Sequence, residues 1–134
     1  MSNRLLYLAK NSISKARYNL ELGDITMAPY EIGSCLTWAL EAWLVKEKIM
    51  VSAGPSSSDV WNLFIQKGQE PLKTKALKCS EKILRCTPRS PDPIDGGPVV
   101  MLAPYGSDKW KQIMWDCLSQ AEEILQIIEQ EVGD

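Results

Sequence analysis

Five basic residues between positions 70 and 89 carry the first chemical signal in this sequence. Lys75, Lys78, Lys82, Arg85 and Arg89 follow one another at steps of 3, 4, 3 and 4, with Lys73 near their edge. On a helix this spacing gathers them on one face. Residues 70–89 hold six basic residues against two acids, Glu70 and Glu81. A concentrated positive face attracts phosphate, so Lys78, Lys82, Arg85 and Arg89 are the candidate contacts to a nucleotide or RNA. The same spacing also describes a solvated helix face chosen for solubility, and no aromatic residue is interleaved with it. The rest of the charge is polarised. All 15 basic residues lie at or before Lys111. Beyond it come six acids: Asp116, Glu122, Glu123, Glu129, Glu131 and Asp134. The net charge of −2 thus joins a basic body to an acidic end, which offers another subunit's basic stripe a place to dock.

Other chemistries are excluded or unsupported. The 134 residues include no histidine, which removes serine–histidine and cysteine–histidine catalysis and histidine-based zinc sites. Asp92 and Asp95 share a proline-rich stretch that fixes no geometry between them, and Glu122 and Glu123 diverge on a helix. Asp95-Gly96-Gly97-Pro98 is a turn signal without the strand-to-helix setting of a phosphate loop. Cys35, Cys79, Cys86 and Cys117 form no close pair and each falls on an apolar stripe, so buried free thiols are expected rather than a metal centre. That usage fits a reducing, cytoplasmic compartment. The start, Met1-Ser2-Asn3-Arg4-Leu5, shows no signal-peptide core, and no apolar run is long enough to span a membrane. Neither a metal nor a cofactor is expected. Of the five tryptophans, Trp38 and Trp43 diverge by roughly 140° on a helix. Trp38, Trp43 and Trp115 are the candidates for an interface, where tryptophan is enriched.

The elements that must position these residues are helical, and the chain is expected to fold as one domain, 1–134. Leu5, Ala9, Ile13, Ala16 and Leu20 mark one face of a first helix ended by Gly23-Asp24. A second, opened by Pro29, carries Ile32, Cys35, Leu36, Ala39, Leu40, Trp43, Lys46 and Ile49 on a wide apolar face. It is expected to run to Ser52-Ala53-Gly54-Pro55 at the centre of the fold. Ser56-Ser57-Ser58-Asp59 reads as a loop entering an N-cap. A short third helix with Val60, Trp61, Phe64 and Ile65 follows and ends at Gly68. Pro71 opens a fourth, striped by Leu72, Ala76, Cys79, Ile83 and Cys86 and widened by Leu77 and Leu84. Prolines and glycines across 87–106 forbid a helix there, and Val99-Val100-Met101-Leu102 suits a short extended stretch against the bundle. Ser107-Asp108 caps the last helix, where Trp110, Met114, Cys117, Ala121, Ile124 and Ile128 repeat almost as heptads. The expected fold is an all-α, up-and-down bundle of about five helices with a long connection before the last.

The helix with Ala9, Ala16 and Leu20, the Gly23-Asp24 turn and the apolar run Cys35–Lys46 together resemble the HEPN superfamily of small helical nucleotide-binding domains. The stretch Trp38–Gly68 is similar to HEPN proteins that pair with a small nucleotidyltransferase. The likeness spans most of the chain in helix order and length. It implies a four- or five-helix bundle, often a homodimer. Many members are toxin ribonucleases with an arginine followed four to six residues later by a histidine. Arg85 and Arg89 lie in the corresponding region, but Arg89, Ser90, Pro91, Pro93, Ile94 and Asp95 occupy the places where that histidine would stand. The resemblance therefore implies a non-cleaving member that binds a nucleotide, RNA or a nucleotidyltransferase. The alternative is an adaptor or antitoxin-type protein working only through protein–protein contact, using an exposed tryptophan or the acidic last helix. A third class, a hydrolase on Asp92 or Asp95, lacks any supporting geometry in the sequence.

Overall fold

Apolar residues recurring every three or four positions are buried most readily by laying helices side by side. The computed structural model describes residues 2–24, 26–49, 57–86, 103–104 and 106–132. Among these it forms an all-α bundle of α1 (Ser2–Glu21), α2 (Ala28–Lys46), α3 (Ser57–Lys67), α4 (Leu72–Cys86) and α5 (Asp108–Val132). One apolar core draws on all five. α1 and α2 pack as a helical hairpin, α5 lies against α1, α2 and α4, and α4 also touches α2. α3 packs on α2 alone in any substantial way. No described helix is long and apolar enough to cross a membrane.

The helix boundaries follow from local hydrogen bonding. At the end of α1 the Asp24 N–H donates to the Asn19 carbonyl at 2.8 Å and the Gly23 N–H to the Leu20 carbonyl at 3.1 Å. Gly23 has φ of 80°. This is the Schellman arrangement, which satisfies carbonyls that the helix leaves open. α2 ends in the same way but earlier than its apolar pattern predicts. The Ile49 N–H reaches the Leu44 carbonyl at 2.9 Å and the Lys48 N–H reaches that of Val45 at 3.1 Å. Lys48 takes φ of 60°, the position glycine fills after α1. The expectation of a helix to about residue 52 is therefore corrected, and Lys46, placed on the buried face by periodicity, is exposed. α3 starts earlier than expected, since Ser57 and Ser58 belong to it.

The apolar stripe of α5 is buried throughout, from Trp110 to Val132. Its start is capped by Ser107, whose Oγ accepts from the Trp110 N–H at 3.1 Å. The Trp110 indole donates to the Cys86 carbonyl at 2.6 Å and so ties this end of α5 to the end of α4. Where α1 hands over to α2, Asn19 on α1 donates to Glu31 in the first turn of α2. The expected extended stretch at residues 99–102, like Asp92 and Asp95, lies outside the described residues.

Candidate functional site

The basic stripe of α4 faces α5 along one edge. There Lys75, Lys78 and Lys82 converge with Gln120, Glu123 and Ile124 around a recess of about 230 Å³. α4 supplies the lysines because they precede its core residues Ala76, Cys79 and Ile83 by one position each, which turns them along the seam rather than into it. Lys75 forms an ion pair with Glu123. Lys78 is exposed and Lys82 is half-buried, and neither has an ion-pair partner among the described residues. Three ammonium groups against one carboxylate leave the recess positive, with the Gln120 amide as a neutral donor. Such a recess can hold a phosphate-sized anion without a metal. Among the described residues no cluster of acids and cysteines could hold a metal ion.

The expected site residues part company here. Lys78 and Lys82 are brought together, and Lys75, which the spacing also marked, joins them. Arg85 is not part of the recess. It is exposed and pairs with Glu81 at 2.7 Å, one turn earlier on the same helix. That pairing was foreshadowed by the i, i+4 spacing of the two residues. Arg89 lies outside the described residues. Gln120 and Glu123, contributed by α5, carried no sequence signal linking them to α4.

Several acids of the last helix are engaged within the chain. Glu129 pairs with Lys10, Glu122 with Arg17 and Glu123 with Lys75. Glu131 accepts a hydrogen bond from the Trp43 indole at 2.8 Å. α5 lies between basic faces of α1 and α4, so its charge is answered largely within the chain. The interface expectation for Trp43 is corrected for the same reason. It is only 3% exposed and meets Phe64 edge-to-face with ring centres 5.6 Å apart, a favourable aromatic geometry. Trp38 and Trp115 are half-buried. The Arg17 guanidinium lies over the Trp115 ring, 5.9 Å from its centre.

All four cysteines are buried free thiols. Burial, reinforced by the nearby Glu122 carboxylate, pushes the Cys35 thiol up to about 12. The Cys117 thiol is pushed up first by its hydrogen bond to Cys79 and then by burial, with Lys82 opposing the shift. Cys86 is raised by burial and then by Cys117. Thiols held protonated in this way are poor nucleophiles and poor metal ligands.

Sequence reasoning missed a second concavity. A groove of about 850 Å³ opens between α3 and α4 over a floor made by α2. Leu77 and Leu84, which periodicity assigned to the core, line it instead. Leu84 is 52% exposed there and Ile65 is 40% exposed.

The class that the fold and these sites define is an all-α helical bundle carrying a lysine recess and an apolar groove. The chain matches no family model, no curated protein and no solved structure in comparisons with each.

Proposed function

We propose that this protein is a non-catalytic binding domain of HEPN-like type that takes a phosphate-bearing ligand, RNA or a nucleotide, at the recess between α4 and α5. The convergence of Lys75, Lys78 and Lys82 on one positive recess carries this reading. The absence of histidine from the chain supports binding without the arginine–histidine cleavage that the resemblance otherwise implies. Homodimerisation and a nucleotidyltransferase partner extend the same reading in a cytoplasmic setting.

The test is a titration of a fluorescein-labelled uridine hexamer, and separately of ATP, at several salt concentrations. Engagement of about three phosphates predicts a log–log salt slope of roughly −2 for a single strand. Replacing Lys78 and Lys82 together with alanine is expected to reduce that slope by more than half and leave the circular dichroism spectrum unchanged. A parent protein that binds neither ligand at low salt would overturn the proposal. The adaptor reading draws on a different observation, the exposed apolar rim of the α2–α3–α4 groove. A complex with a protein partner that survives high salt and persists in the lysine variant favours it.

A further inference from the structure

α1 turns its stripe Ala9, Ile13, Ala16 and Leu20 into the core. Among the described elements it packs substantially on α2 and α5 only. On the side away from that stripe Arg4, Tyr7, Asn11, Ser14, Tyr18 and Glu21 follow one another at steps of 3, 4, 3, 4 and 3. All of them are exposed. This is the spacing of the a and d positions of a coiled coil, which keeps residues on one side of a helix at a period of 3.5. Tyr7 is 64% exposed and Tyr18 62% exposed, and Leu22 beside them is 66% exposed. Large rings left in solvent on one seam are the kind of surface that interfaces collect.

The order of residue types along the seam is palindromic. From either end it reads charge, tyrosine, small polar, small polar, tyrosine, charge, and the two end charges are opposite in sign. A two-fold axis between residues 12 and 13 therefore sets Arg4 against the partner's Glu21, Tyr7 against the partner's Tyr18 and Asn11 against the partner's Ser14. Such reciprocal pairing is what a self-complementary two-fold interface needs. The two charges also lack an explanation within the chain. Neither Arg4 nor Glu21 forms an ion pair among the described residues, whereas Lys10 and Arg17 on the flank of the seam pair with Glu129 and Glu122. Arg4 stands in the first turn of α1 and Glu21 in the last. Both oppose the helix macrodipole, which favours acids at the start and bases at the end. A second α1 running the other way answers both.

We infer that the outward face of α1 binds a second copy of this chain, with the two α1 helices antiparallel and their exposed tyrosines paired across a two-fold axis. The tyrosine pairs supply apolar burial with a favourable aromatic geometry within reach. The Asn11–Ser14 layers fix the register, as a polar seam position does in coiled coils. The Arg4–Glu21 pairs select the antiparallel arrangement over the parallel one, which would set like charges together. One helix per side and a polar centre make the association weak and reversible. The inference rests on the homodimer reading given above and assigns it a surface. It does not depend on phosphate binding, because the seam and the lysine recess share no residue.

The test is sedimentation equilibrium of the parent and its variants from about 1 μM to about 1 mM. The parent is expected to dimerise within that range, and Tyr18→Ser to weaken association by about tenfold or more. Arg4→Glu makes the seam acidic at both ends and Glu21→Arg makes it basic at both ends. Each variant alone is expected to stay monomeric. An equimolar mixture of the two is expected to form a dimer containing one chain of each, as native mass spectrometry reads. Both substitutions agree with the macrodipole of α1, so circular dichroism is expected to show helix content unchanged. Dimers that persist in both charge variants, or a mixture that does not associate, overturn this surface while leaving homodimerisation itself standing. A parent that stays monomeric up to about 1 mM overturns both. Phosphate binding is read separately in the oligonucleotide titration and falls with neither.

Discussion

Glu123 moderates the lysine recess from within. It is the single acid among three lysines, and its ion pair with Lys75 is largely solvent-exposed on both sides. Pairs of that kind contribute little to folding, about 0–1 kcal/mol, yet the carboxylate repels any incoming anion at close range. Glu123→Gln is therefore expected to tighten oligonucleotide binding several-fold at low salt and to leave the urea midpoint nearly unchanged, as parallel titrations would read. Cys35 yields a prediction of opposite kind. Its thiol is raised from 9.0 to about 12 in the fold, so the native state holds the proton more tightly than the unfolded chain does. The stabilisation is complete below about pH 9 and is lost as pH rises from there towards 12. One such thiol contributes a slope of up to about 1.4 kcal/mol per pH unit in that window. Urea unfolding of the parent and of Cys35→Ala from pH 8 to 11 should show the variant losing stability less steeply. Parallel curves would contradict this.

Helix ends supply the element-scale prediction. Lys48 fills a left-handed position, φ 60°, that closes α2 with the same hydrogen bonds glycine permits after α1. A side chain in that conformation is disfavoured by about 1–2 kcal/mol, so Lys48→Gly is expected to stabilise the protein by about 0.5–1 kcal/mol in chemical denaturation. This also explains what could be read beforehand. The stripes of α1, α4 and α5 were legible because core residues recur at 3 and 4 along each of them, and the α1 terminus because Gly23 announces it. The end of α2 was not, because lysine carries no signal for a left-handed turn. Leu77, Leu84 and Ile65 fit helical periodicity as well as true core residues do. Periodicity tells which face is apolar, but not whether another helix arrives to cover it. The basic stripe was legible as a stripe. Its closure into a recess depends on Gln120 and Glu123, which lie some forty residues further on and become neighbours only when α5 docks.

At the scale of the molecule, charge is arranged so that the acidic helix lies within the basic body. The net charge of −2 includes Glu122, Glu123 and Glu129, each answered by a cation on α1 or α4. Changing all three to glutamine removes that internal neutralisation. The variant is expected to lose only about 1–2 kcal/mol of stability, since all three pairs are substantially exposed. It should bind oligonucleotides more tightly but with less discrimination between ligands, because Lys10, Arg17 and Lys75 are all released to solvent. Competition with inorganic phosphate and an unrelated polyanion measures that loss.

The placement of α3 carries a consequence for motion. It rests on α2, chiefly through Val60 and Phe64, and has no comparable support from α1, α4 or α5. A helix anchored along one side is the element that separates first when the bundle opens below its global unfolding free energy. Native-state hydrogen exchange should therefore find the amides of α3 released earlier than those of α2 or α5. Because α3 is also one wall of the apolar groove, a molecule seated there would slow that release. Its presence could then be detected from exchange rates alone, before its identity is known.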